Sequence, residues 1–102
     1  MEALKQLRYF REQSKKDKRI RPNHISLYMA FYWYYYQSNF QSPFTIYRKG
    51  LMELAAISSI ATYHKCLKEL VNYGYIHYEP SYDSHKGSQV QFRPNDKISN
   101  NS

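Results

Sequence analysis

Apolar and polar positions along the chain change period several times, and each change marks an element. In EALKQLRYFREQ, Ala3, Leu4, Leu7 and Phe10 recur at helical spacing with charges between them, which predicts a short amphipathic helix. KKDKRIRP, residues 15–22, breaks the pattern and reads as a basic linker. Pro22 biases Arg21 away from helical geometry and suits the start of a second helix, with Asn23 as its expected N-cap. NHISLYMAFYWYYYQSN is apolar or aromatic almost all round. Leu27, Phe31, Tyr34 and Tyr35 lie on one side, Met29, Tyr32, Trp33 and Tyr36 on the other. Such a helix is buried on both sides or shares one with a partner. We expect Leu27, Phe31 and Tyr34 to face the core. The other side is left to the N-terminal helix or to another subunit.

QSPFTIY holds turn residues and then a short β-prone run, and RKGLMELAAI spaces Leu51, Met52, Leu54 and Ala55 for burial in a compact helix. A link of a few residues, Ile57 to Ser59, joins it to the next helix. There Ser59 is the expected N-cap, Tyr63, Cys66, Leu67, Leu70 and Val71 form one face, and Gly74 supplies a left-handed stop. YIHYE alternates, with Ile76 and Tyr78 on one face and Tyr75, His77 and Glu79 on the other; QVQFR alternates again, with Val90 and Phe92 inward. These runs predict a hairpin with a long tip, PSYDSHKGS, followed by a polar tail. The fold class expected is α+β, mostly α. Residues 1–21 form an N-terminal helix and basic arm, 22–93 one compact domain, and 94–102 a flexible tail.

Two helices joined by a short turn and followed at once by a β-hairpin match a winged helix-turn-helix arrangement, a three-helix core plus wing, here with an extra N-terminal helix. LMELAAISSIATYHKCLKELVNYGYI resembles the core of small bacterial winged-helix regulators. The likeness rests on Ser59, Thr62, Leu67 to Leu70, and Gly74 to Ile76. With HISLYMAF before it and YEPSYDSHKGS after it, the chain is similar to members associated with mobile elements of gut anaerobes. The resemblance spans roughly residues 22–92. It departs at the turn, where many members carry glycine and this chain has Ala56-Ile57-Ser58.

Charge changes the picture next. The net charge is +7 over 102 residues, which favours a polyanionic partner, nucleic acid first and an anionic membrane surface second. Most of it is N-terminal: eight basic residues against three acidic within residues 1–21 leave +2 for the rest (8 − 3 = 5; 7 − 5 = 2). The resemblance implies that the helix at about 59–72 enters the major groove of double-stranded DNA. It makes Ser58, Ala61, Thr62 and Lys65 base-edge candidates, with His64 flanking them. Ser59 would leave backbone N–H groups free for a phosphate, and Lys68 would contact the backbone. In the wing at 79–88, His85 and Lys86, with Arg93 at its base, are the cations that would reach the flanking backbone. Lys15, Lys16, Lys18, Arg19 and Arg21 in the arm would neutralise phosphates or insert into a minor groove. The same cations also suit a plain solvated face, and residues 58–93 carry only +1 (Lys65, Lys68, Lys86 and Arg93 against Glu69, Glu79 and Asp83; 4 − 3 = 1).

Other chemistry is thin. Cys66 is the single cysteine, which excludes an internal disulfide and suits a reducing cytoplasm. His64 lies about 160° from Cys66 around their helix, so the two do not share a metal, and no four-ligand zinc spacing is present. No phosphate loop, nucleophile elbow or paired carboxylate is present, so neither an enzyme nor a cofactor is expected. No apolar run reaches membrane-spanning length. Two functions remain: a DNA-binding transcriptional regulator, acting as a homodimer through the aromatic helix at 24–37 and the N-terminal helix, or a winged-helix interaction module for replication or mobilisation that does not read DNA. RNA ranks third, because the RNA-recognition sheet motif is missing.

Overall fold

The computed structural model describes residues 2–83 and 86–94. The side chain of Ala3, residue His85 and the tail beyond Pro94 lie outside the described residues. The described chain is α+β and mostly helical. Its elements run α1 (Glu2–Lys16), α2 (Pro22–Gln37), β1 (Phe44–Ile46), α3 (Arg48–Ala55), α4 (Ile60–Asn72), β2 (Ile76–Glu79) and β3 (Ser88–Phe92). The strands form one antiparallel sheet in the order β1-β3-β2, with Phe44 opposite Val90 on one side and Ile76 opposite Phe92 on the other. This layout is compatible with a winged arrangement.

Helix α1 runs further than the charge pattern predicts. Lys15 and Lys16 belong to its last turn and not to a linker. Positive charge is favoured there by the unpaired C-terminal carbonyls, so a run of lysines extends the helix. The α2 N-cap is Arg21 and not Asn23, because Pro22 takes the first helical position with its φ preset. The ring of His24 completes the start, its Nδ1 accepting the Arg21 backbone N–H at 2.9 Å.

The core gathers around α2. Leu27, Tyr28, Phe31 and Tyr35 are buried, and Tyr34, expected inward, is only half-buried. The inward face turns toward Tyr28 because α1 packs there. Phe10 stacks on the Tyr28 ring at 3.7 Å between centroids, and Gln6 Nε2 donates to the Tyr28 hydroxyl at 3.1 Å. Under α2 the sheet contributes Phe44, Ile46, Ile76, Val90 and Phe92, all buried.

Left-handed residues close both α3, at the α3–α4 corner, and α4, ahead of β2. At the end of α3, Ala56 is left-handed (φ 58°, ψ 38°), its N–H donating to the Glu53 carbonyl and that of Ile57 to the Met52 carbonyl. This is the closure that glycine usually makes, here carried by alanine with its Cβ crowding the carbonyl. At the end of α4, Gly74 (φ 87°) does the same, with Gly74 N–H to Val71 and Tyr75 N–H to Leu70. Leu54 and Val71, both expected inside, are exposed at the margins of these short helices. Tyr75, assigned from strand alternation to the outer face, is instead buried. It precedes β2 and turns under α1, where its ring meets Phe10 edge-on at 5.3 Å.

Candidate nucleic-acid interface

Helix α4 is oriented by its apolar face. Tyr63, Cys66, Leu67 and Leu70 are buried, which leaves Ala61, His64, Lys65 and Lys68 exposed and Thr62 half-buried on the outer side. Ser59 caps the helix as its sequence position predicts, Oγ accepting the Thr62 N–H at 3.2 Å. Burial holds the Tyr63 hydroxyl up at about 12 and also raises the Cys66 thiol, so neither ionises near neutrality.

Three of the candidates, Ser58, His64 and Lys68, line two grooves that flank α4. On the α3 side, Ser58 shares a groove of about 580 Å³ with Arg48, Lys49, Met52 and Ile60. Arg48 and Lys49 open α3, are exposed, and were not among the sequence candidates. The signal for them was their place at the start of the first helix of the pair. On the hairpin side, His64 and Lys68 border a groove of about 470 Å³ together with Tyr78 and Pro80. Lys86 is exposed in the turn before β3, and Arg93 follows β3, its backbone N–H donating to the Tyr75 carbonyl at 2.8 Å. Gly87 fits there because it is left-handed and because a Cβ would come within 2.7 Å of the Ile46 carbonyl oxygen.

Glu69 looks in sequence like a charge that dilutes this face, yet it turns inward. Its Oε1 lies 2.8 Å from Nε2 of buried His24. The outward stripe of α4 thus carries Lys65 and Lys68 with no acidic residue among them.

The basic arm is fixed to the body. Asp17 accepts hydrogen bonds from Arg19 Nε and one terminal nitrogen, both at 2.8 Å, and from the Tyr75 hydroxyl at 2.7 Å. Arg19 also lies over the Tyr73 ring, 4.1 Å from its centroid. The Arg19 guanidinium and then the Tyr75 hydroxyl hold the Asp17 carboxyl well below the usual carboxylate range. The structure therefore places residues 17–20 at the C-terminal end of α4, roughly 16 Å along the helix from Thr62 at 1.5 Å per residue. It does not bring the arm together with Ser58, Ala61 and Lys65. Arg19 has its cation engaged by Asp17, and Lys15 pairs with Glu12 at 3.4 Å, whereas Lys16, Lys18 and Arg21 are exposed.

One cluster resembles a metal site. Ligand-capable atoms of His24, Cys66 and Glu69 lie within 4.8 Å of one another. The hydrogen bonds argue against an ion. Nδ1 accepts the Arg21 N–H, so the ring proton sits on Nε2 and is donated to Glu69. A metal-bound histidine needs the reverse, a free lone pair on one nitrogen and a donor N–H on the other.

Among the described residues no helix is long and apolar enough to cross a membrane. No protein-family model, curated protein or solved structure matches the chain.

Proposed function

We propose that this chain is a winged helix-turn-helix protein that binds double-stranded DNA and regulates transcription, with α4 in the major groove and the β2–β3 hairpin on the flanking backbone. The observation that carries this reading is the outward face of α4. Exposed Ala61 and half-buried Thr62, both small, stand beside exposed Lys65 and Lys68, and the groove on the α3 side adds the cations Arg48 and Lys49. Lys65 near the helix start suits a guanine edge, and Lys68 one turn later suits phosphate. Arg48 and Lys49 join them as backbone contacts, and Lys16, Lys18 and Arg21 act from the far end of α4. With only +1 across residues 58–93 and most of the positive charge in residues 1–21, affinity is modest and spread over many contacts. A single buried thiol suits action in the cytoplasm.

The test is selection of bound fragments from a random duplex library, followed by titration of a recovered site at several salt concentrations. Lys68→Ala should weaken all sequences alike and flatten the salt dependence by about one phosphate, a slope change near 0.9. Lys65→Ala should instead relax preference at one base pair. No enriched sequence, with binding indifferent to salt, would sink the proposal.

A second reading is favoured by a different observation. The Ile25–Tyr36 side of α2 is apolar and open, which suits an interaction module that never reads DNA. Failure of the duplex selection beside intact protein association would favour it.

A further inference from the structure

Helix α2 carries no charged residue from Pro22 to Gln37, yet it leaves four large side chains open to water along one stripe. Ile25, Met29, Trp33 and Tyr36 fall within about 80° of one another around the helix at 100° per residue. The two ends of the stripe differ. Its N-terminal half forms a groove with α1 of about 460 Å³, floored by Leu7, Phe10, Ile25 and Met29 and lipped by Arg8 and Arg11. Neither arginine pairs with a carboxylate among the described residues. Its C-terminal half is a knob, Trp33 leaning on Tyr36 with ring centroids 5.5 Å apart.

We propose that the occupant of this face is a second copy of the chain, with the two α2 helices antiparallel about a two-fold axis at the level of Ala30 and Phe31. The spacing is self-complementary. Residues 25 and 36 are centred between Ala30 and Phe31 and residues 29 and 33 on Phe31, an offset of half a residue or about 0.75 Å along the axis, so Trp33 of the second copy meets Met29 and Tyr36 of the second copy meets Ile25. Each knob then enters the opposite groove, and each aromatic face meets the unpaired guanidiniums on its lip, the cation that stacks best on such rings. A two-fold axis repeats every contact, as an isologous interface requires. No like charges from the two α2 helices oppose each other.

The area lies at the margin. Leu4, Ile25, Met29, Trp33 and Tyr36 are exposed by 45, 42, 45, 46 and 53%, which at ~200 Å² per large side chain is about 460 Å² per copy and about 920 Å² for the pair, close to the roughly 1,000 Å² floor for a specific interface before the exposed stems of Arg8 and Arg11 are added. This pairing does not depend on the DNA reading. It adds to that reading only the expectation that two α4 helices related by a two-fold axis select an inverted repeat.

Light scattering on the eluting protein, without DNA, tests it. The expected mass is twice the 12.3 kDa of one chain, with emission from Trp33, the single tryptophan, moving to shorter wavelength as concentration rises. Met29→Glu and Trp33→Glu should each return one chain mass while circular dichroism stays native, because both side chains are solvent-facing in the single copy. Orientation is read by cysteine pairing, from which buried Cys66 is excluded. Ile25→Cys mixed with Tyr36→Cys should crosslink at least about tenfold faster than either alone, since a disulfide demands Cβ atoms roughly 4 Å apart. A single-chain mass at every concentration, a doubled mass in both glutamate variants, or faster self-crosslinking of Ile25→Cys would overturn the proposal.

Discussion

Tyr75→Phe isolates one hydrogen bond that ties the N-terminal arm to the hairpin end of α4. The phenylalanine ring keeps the buried position and the edge-on contact with Phe10. What is lost is the hydroxyl donated to Asp17 Oδ2 at 2.7 Å. A hydrogen bond to a charged acceptor contributes about 1.5–3 kcal/mol. Asp17 retains three bonds from Arg19, two from the guanidinium and one from the backbone, so no orphaned carboxylate is left and the lower end applies. A loss of about 1.5 kcal/mol corresponds to a melting temperature lower by roughly 7 °C for a domain of this size.

The same bond has a pH signature. The folded-state carboxyl of Asp17 lies below its ordinary value, Arg19 being the larger cause and Tyr75 the next. A depressed carboxyl stabilises the fold at pH above its unfolded value, near 4, and that contribution disappears as pH falls toward the folded value. Wild type and Asp17→Asn should therefore differ most at neutral pH and converge in strong acid. Thermal unfolding followed by circular dichroism across this range gives the difference directly, with other carboxylates cancelling between the two curves. Parallel curves down to strong acid, or a Tyr75→Phe protein as stable as wild type, would refute the tether.

Three further outcomes follow from local geometry. Ala56→Gly should raise the melting temperature by a few degrees, since a left-handed non-glycine residue costs about 1 kcal/mol or slightly more, and urea titration would reveal a destabilisation if Ala56 were instead required by packing. Gly50→Ala puts a Cβ onto the Tyr34 hydroxyl; it should lower stability alone and do so less in a Tyr34→Phe background, and additive effects in that double-mutant cycle would disprove the contact. Excess Zn²⁺ should leave thermal stability unchanged, because His24 holds its proton on Nε2; a saturable rise that Cys66→Ser abolishes would overturn that assignment.

The elements were legible because each carries its own punctuation. Ser59 and Gly74 bracket α4 with a cap and a stop, and Val90 and Phe92 show the alternation of a strand against a core. What escaped depends on partners far along the chain. Asp17 reads as one acid in a basic linker until Tyr75, 58 residues later, meets it, and Glu69 reads as surface until His24 takes it inward. Ala56 was visible as a departure from glycine, but nothing local says that alanine adopts the left-handed form anyway. On α2 the failure is of another kind. A helix apolar on every side has almost no moment to orient it, so whether Tyr34 or Tyr35 faces inward is settled by where α1 and the sheet lie.

Helix α2 is also the mechanical link between the two proposals. Its inner side grips α3 and α4 in two places, the end of α3 through Ser26 Oγ donating to the Ala55 carbonyl at 2.7 Å and the C-terminal part of α4 through the His24–Glu69 bond at 2.8 Å. Leu27 and Phe31, fully buried just after these grips on α2, leave no slack for α2 to rotate over α4 without opening the core. In a pair joined through Met29 and Trp33, the angle and separation of the two α4 faces are then set by the α2–α2 crossing alone. A change at Met29 that preserves pairing but shifts this crossing would alter the preferred spacing between half-sites while leaving the half-site sequence untouched. A change at Lys65 would do the reverse. Selection on random duplexes separates these effects, and a spacing preference unmoved by every α2 substitution that keeps the pair intact would break the link.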